Sequence, residues 1–263
     1  MAVADVGAAR IAYDDTGGDG PAVVLAHGFL MDRSMFEPQV AALRDRYRMV
    51  TWDERGFGET EYDERRPFTY WDSAADCLTL MDHLGIDRAV VGGMSQGGFV
   101  SQRVALTAPE RVRGLVLLDT QAGPEDPEVV PLYQGMIYDW VANGPHEDLA
   151  GVIAGLILGE PELSKQWIAT WEGRRKESLG QPGRTLLTRD DLTERLGEIT
   201  APALVVHGTE DGAIAGEKAE RLAAGLTGCD GVTWIEGGTH AANLTHPAEV
   251  NAAIAAFLES LPA

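Results

Sequence analysis

The chain has 263 residues, 44% of them hydrophobic and 24% charged, with a formal net charge of −20. That length suits one large core better than two independent domains. A balance this acidic excludes nucleic acid or an anionic membrane surface as the expected partner.

Cys77 and Cys229 lie too far apart in the sequence for metal-ligand spacing and make no disulfide framework. No P-loop and no GxGxxG is present, so no metal and no cofactor is expected. The first residues lack a basic start followed by an apolar run, and the most apolar window, GVIAGLILG at 151–159, is too short to span a bilayer. The reading is a soluble, cytoplasmic protein acting on a small molecule, of unknown oligomeric state.

In chain order, ARIAYDD (9–15) and AVVLAHG (22–28) flank the turn signal TGGDGP. RMVTWD (48–53), RAVVGG (88–93), RGLVLLD (113–119), PALVVHG (202–208) and GVTWIEG (231–237) follow as further strands. Helices are predicted near 34–46, 69–84, 96–108, 216–226 and 247–260; MFEPQVAALRDRY and PAEVNAAIAAFLES show apolar residues at three-and-four spacing. This alternation predicts an α/β fold with a mainly parallel sheet and helices on both faces. It stops between 122 and 195, a block predicted to be helical and bounded by the turn formers AGPEDPE and GQPGR. Residues 1–121 and 196–263 are therefore read as the core, and 122–195 as a helical lid inserted over the sheet's C-terminal edge.

The most informative stretch is GGMSQGG (92–98), between the strand RAVV and the helical pattern FVSQRVALTAPE. A catalytic serine must project from a very sharp turn, and Gly93 and Gly97 clear the crowded backbone around Ser95. The following helix start offers N–H groups and a positive dipole end to developing negative charge. A glycine-rich loop whose serine merely caps the helix is the bland alternative.

With these residues in place the chain resembles the α/β-hydrolase superfamily along nearly its whole length. HGF (27–29) is similar to that family's oxyanion loop, and WDERGFGET (52–60) to its D-x-R-G-x-G-x-S signature, with Thr60 in place of serine. HGTED (207–211) resembles the acid loop, and GGTH followed by Pro247 the histidine loop. The stretch HGFLMDRSMFEPQ also resembles small bacterial aryl esterases and their perhydrolase relatives. Those perhydrolases commonly carry proline after the loop aromatic, where this chain has Leu30.

The resemblance implies an α/β-hydrolase fold and a relay in the order Ser95, Asp211, His240. Asp119, at the end of RGLVLLD, is the rival acid and Glu210 a weaker one. Backbone N–H groups of Gln96 and, by resemblance, Phe29 would form the oxyanion hole. Leu30, Tyr133, Met136, Trp140, Trp167 and Trp171 are the candidate pocket residues, favouring an apolar acyl or aryl group.

His27, His83, His146, His207 and His246 are read as structural, the last at the start of the helix PAEVNAAIAAFLES. Asp53 and Arg55 are expected to pin a tight turn.

The implied activity is hydrolysis of carboxylic esters through an acyl-enzyme. An enol-lactonase or other lactone hydrolase is the alternative. Because an enol-lactone substrate carries a carboxylate, Arg174, Arg175 or Arg184 would then gain a role; otherwise these arginines are expected to be solvated surface charges. A perhydrolase, a C–C hydrolase and a non-catalytic ligand receptor on the same fold are the lesser readings.

Overall fold

The computed structural model describes residues 2–262. Among the described residues, one nine-stranded sheet contains β1 (Ala2–Asp5), β2 (Ala9–Asp15), β3 (Ala22–Ala26), β4 (Arg48–Trp52), β5 (Glu61–Tyr62), β6 (Ala89–Met94), β7 (Val112–Leu118), β8 (Ala203–Gly208) and β9 (Val232–Ile235). Their spatial order is β1-β2-β4-β3-β6-β7-β8-β9, with β5 pairing to β2 outside that path. Neighbours from β4 to β9 are parallel. The strands β1, β2 and β5 form an antiparallel flank.

The helices are α1 (Glu37–Leu43), α2 (Tyr70–His83), α3 (Gln96–Thr107), α4 (Val130–Asn143), α5 (Glu147–Ile157), α6 (Pro161–Glu172), α7 (Gly180–Leu187), α8 (Gly216–Gly225), α9 (Ala242–Thr245) and α10 (Pro247–Ser260). The fold is α/β with a mostly parallel sheet, as the alternation of runs implies. The central parallel strands are largely apolar on both sides because successive residues face opposite helical layers. In β3, Ala22, Val24 and Ala26 join one buried cluster, and Val23 and Leu25 join the other. Side chains of α2, α3 and α8 fill the first layer; those of α1 and α10 fill the second. Fully burying each such Val or Leu contributes about 1.5–3 kcal/mol.

Local signals explain the helix boundaries. Thr69 and Asp72 make a capping box at the start of α2, with the Thr69 N–H donating to Asp72 at 2.7 Å. The helix expected over 34–46 is instead split: residues 33–36 form a tight 3₁₀ turn before α1, which has Pro38 in its first turn.

The strand order places the site. β3 lies between β4 and β6, so the chain leaves β3 in one direction and later returns to its other side. This reversal opens a crevice at the C-terminal ends of β3 and β6, where ligands bind in open α/β sheets. The loop carrying Phe29 leaves β3, and the turn carrying Ser95 leaves β6. Between β7 and β8 the chain inserts α4, α5, α6 and α7. Trp140 and Trp171 of this insertion pack edge to face, with ring centroids 5.9 Å apart.

Candidate active site

Ser95 follows β6 immediately and precedes α3, with φ 51° and ψ −112°. Non-glycine residues rarely adopt this conformation, which holds the hydroxyl away from both elements. The flanking glycines are sterically required. A Cβ on Gly97 would stand 1.9 Å from the Ala26 carbonyl oxygen, and one on Gly93 would stand 2.4 Å from the same atom. The turn is thus pressed against the end of β3.

The Ser95 hydroxyl lies 3.0 Å from His240 Nε2, and His240 Nδ1 lies 2.8 Å from Asp211 Oδ2. His240 sits in the loop after β9, and Asp211 in the loop after β8. Asp211 Oδ1 also accepts the N–H groups of Ala213 and Ile214, at 2.8 and 2.9 Å. The carboxylate is therefore fixed from both sides.

Burial raises the Asp211 pKa, but the adjacent His240, its hydrogen bond and the Ile214 N–H outweigh this, leaving it below the ordinary value. Burial likewise pushes His240 down, and the charge and hydrogen bond of Asp211, with Asp119 and Glu125 behind, reverse the effect. The imidazole ends above its ordinary value. A hydroxyl bonded to such a ring can pass its proton to Nε2 while the carboxylate holds Nδ1–H.

Asp119, the rival acid, is fully buried and accepts the N–H groups of Gly208 and Ala242, at 2.8 and 3.2 Å. It braces the loops carrying Asp211 and His240 rather than touching the imidazole. Burial and the nearby Asp211 charge push its carboxyl well above the usual range.

Asp119, His207 and Asp211 bring donor atoms within 4.8 Å of one another. Hydrogen bonds already occupy both carboxylates, and His207 Nε2 lies 3.0 Å from the Ile214 carbonyl oxygen. This arrangement fits a hydrogen-bonded brace better than a metal centre.

Among the described residues, the Phe29 N–H has no protein acceptor. Gln96 opens α3, where first-turn N–H groups lack intrahelical partners. The Gln96 side chain is held by two buried groups: it donates to Glu54 at 3.1 Å and accepts from the Tyr70 hydroxyl at 3.1 Å. Glu54 is almost completely buried, and burial, opposed by the bond from Gln96, raises its pKa to about 8. Sequence reasoning passed over Glu54 because it stands between Asp53 and Arg55, where a surface turn is the natural expectation.

That turn is pinned, as the sequence suggests, but by separate means. Asp53 accepts the N–H groups of Arg33 and Glu59 and pairs with the Arg33 guanidinium. Arg55 instead makes a two-pronged buried pair with Asp76, at 2.6 and 2.8 Å. Thr60 uses its hydroxyl, donating to the Asp53 carbonyl and accepting from the Ala12 N–H. His27 braces the β3 loop by bonding Gly28 and accepting from the Glu54 N–H.

A cavity of about 750 Å³, open solvent at its mouth included, adjoins Ser95 and His240. Leu30, Tyr133, Met136 and Trp140 line it. Trp167 and Trp171 do not. Both are buried, and the Trp171 indole N–H donates to the Leu30 carbonyl at 2.9 Å, so these rings support the wall from behind.

Arg174 also departs from expectation. Instead of being solvated, it donates to the carbonyls of Leu30 and Met31 and pairs with Asp32 at 2.6 Å. Arg175 pairs with Glu64 at the surface, and Arg184 is exposed. No arginine or lysine lines the cavity among the described residues. The sequence reading also missed Glu125, which does line it and pairs with buried Arg189.

A family model described as alpha/beta hydrolase fold matches residues 21–247. A putative non-heme chloroperoxidase from Synechocystis sp. is 30% identical over 269 residues, covering 95% of each chain. Among solved structures, a thermophilic esterase from Thermogutta terrifontis, with malate bound, has a TM-score of 0.87 at 29% identity. That match covers 95% of this chain and 93% of the other. The enol-lactonase of Burkholderia xenovorans LB400 has a TM-score of 0.88 at 27% identity, covering 98% of this chain and 100% of its own. Among the described residues, no helix is long and apolar enough to cross a membrane. By this match and this architecture, the chain belongs to the α/β-hydrolase family and resembles its bacterial esterases.

Proposed function

We propose that this hydrolase cleaves carboxylic esters through an acyl-enzyme formed on Ser95. The supporting observation is the unbroken hydrogen-bond chain from Asp211 through His240 to the Ser95 hydroxyl beside an apolar cavity. Ser95 Oγ attacks the ester carbonyl carbon while His240 Nε2 takes its proton, and Asp211 steadies the resulting imidazolium. The carbonyl oxygen gathers charge against the N–H groups of Phe29 and Gln96. The C–O bond to the leaving alcohol then breaks as His240 returns the proton to that oxygen. Water, deprotonated by the same imidazole, releases the acid and restores Ser95.

Residues 122–195 act as the cap, supplying most of the apolar wall of the cavity, with Phe29, Leu30, Met94, Ala213 and Ile214 of the core supplying the rest. The reaction draws on side chains and backbone alone. Lactone hydrolysis is the second reading, favoured by the likeness to an enol-lactonase. It uses the same steps, with the alcohol remaining tethered to the acyl group.

A p-nitrophenyl ester series from acetate to decanoate, run beside lactones, tests both readings. Turnover of mid-length esters that vanishes in Ser95→Ala is the expected result. Full ester turnover by Ser95→Ala would overturn the mechanism, and a kcat/KM advantage for lactones would favour the second reading.

A further inference from the structure

The cavity wall is apolar apart from four side chains: Ser95, His240, Tyr133 and Glu125. Glu125 is unexpected because a carboxylate in an apolar pocket must be held and compensated. Its side chain is only 8% exposed, and Oε1 lies 2.9 Å from Arg189 Nη2, whose side chain is 1% exposed. Gln121 donates to Oε2 at 3.3 Å.

Arg189 is committed elsewhere. Its Nε and Nη1 donate to the carbonyls of Gly123 and Leu186, and its guanidinium lies 4.2 Å from the centre of the Phe99 ring. Nη2 makes no well-aligned hydrogen bond, so Glu125, which lines this cavity and also an adjoining pocket with Lys218 and Arg221, keeps unused acceptor capacity. The charge of Glu125 also reaches the other polar groups of the wall. Burial first and Glu125 second push the Tyr133 phenol up to about 12, so it stays a neutral donor.

We propose that Glu125 is a specificity-determining residue, selecting substrates that present an ammonium or hydroxyl group to this wall and rejecting those that present a carboxylate. This deepens the ester-hydrolase reading and rests on it. The wall offers the Glu125 carboxylate and no lysine or arginine, with Arg189 behind Glu125 rather than in the lining, so an anionic group bound here would meet a like charge first. A hydroxyl or ammonium group would complete the acceptor valence of Glu125. The arginines that a carboxylate-bearing lactone would need are turned to other partners: Arg174 to Asp32 and Arg175 to Glu64.

The test uses three matched p-nitrophenyl esters: hexanoyl, 6-aminohexanoyl and 5-carboxypentanoyl. They are assayed at high salt, where the field of the net charge is screened but a buried contact is not. The wild-type protein is expected to prefer the hexanoyl and amino esters to the carboxy ester by at least tenfold in kcat/KM. Glu125→Gln should shrink the amino-to-carboxy ratio by about tenfold. A Glu125 that serves only as an ion-pair partner of Arg189 would lower Tm in Glu125→Gln and leave the ratio unchanged, overturning the proposal. If that variant fails to fold, a wild-type amino-to-carboxy ratio near one at high salt overturns it equally.

Binding of hexanamide, 6-aminohexanamide and adipic acid monoamide to Ser95→Ala, followed by calorimetry, separates the two readings. If no ester is turned over, the ester-hydrolase reading falls. The same order of affinities would still support Glu125, and equal affinities would overturn it.

Discussion

Arg174 donates to the carbonyl of Leu30 at 2.8 Å, and Leu30 holds a left-handed backbone, φ 67°, directly after Phe29. A leucine in that conformation costs roughly 1–2 kcal/mol. Trp171 and Arg174, both from the helical insertion, offset the cost by sharing that one carbonyl. The insertion thereby holds the proposed oxyanion loop in place. Arg174→Ala is expected to lower kcat by about tenfold with a smaller change in KM, since it loosens a donor without removing pocket wall. Arg174→Lys should recover part of the loss. Steady-state kinetics on a single ester checks both.

The acid assignment separates by which property fails. Asp211→Asn should reduce kcat on the order of 10³–10⁴-fold, because the amide no longer holds the imidazole in its working tautomer. Asp119→Asn loses one of two buried acceptor bonds, so it should cost about 1–3 kcal/mol of stability and much less turnover. Urea denaturation and kcat, measured on both variants, distinguish them. Larger kcat loss in Asp119→Asn would exchange the roles.

The two histidines of GGTHAANLTHP should part company in the same way. His240→Ala is expected to abolish turnover. His246 stands at the N-cap of α10, where its side chain makes no capping bond and instead meets the Thr245 hydroxyl at 3.0 Å. Its replacement by alanine should cost roughly 1 kcal/mol or less, measured as a small shift in Tm with kcat retained.

The pH profile carries its own signature. His240 works as a base only when neutral, and its neighbours hold it above the ordinary 6.5. The acid limb of kcat/KM should therefore rise with an apparent pKa above 6.5. A midpoint below 6.5 would contradict the balance of charges around the ring.

Glu54 predicts an opposite trend in stability. Its carboxyl titrates near 4.5 when unfolded and at about 8 when folded. Between those values the folded state retains a proton that the unfolded state loses, so this group's contribution is full below pH 4.5 and disappears as pH rises to 8. Glu54→Gln should flatten that decline and stabilise the protein at pH 8 by on the order of a few kcal/mol. Chemical denaturation at pH 5 and pH 8 provides the measurement.

The residues that were easy to read were those whose role is local. ARIAYDD became β2 without a residue's difference, and PAEVNAAIAAFLES became α10, because apolar periodicity reports a face to be buried. GGMSQGG was readable because a serine in a strand–turn–helix context needs glycines beside it. β1 and β5 were missed because four- and two-residue edge strands, largely exposed, leave no such period.

Arg174, expected to be solvated, and Glu125 and Glu54, not singled out, escape the sequence for a different reason. Each acts through a partner distant in sequence: Leu30 for Arg174, Arg189 for Glu125, and Gln96 for Glu54. A charged residue in a polar stretch reads as solvated until the fold shows what lies above it. Trp167 and Trp171 were assigned to the pocket for being large and apolar, although size does not tell the lining of a wall from its backing.

The backbone of Ser95 also determines which other atoms could stand in its place. At φ 51° a side chain branched at Cβ would crowd the peptide on either side, whereas an unbranched one fits. Threonine, chemically the nearest neighbour of serine, is thus the replacement this turn refuses. Cysteine and aspartate are admitted despite their different chemistries. The bend is a steric filter on the reactive atom: it accepts a thiolate or a carboxylate and rejects a second alcohol.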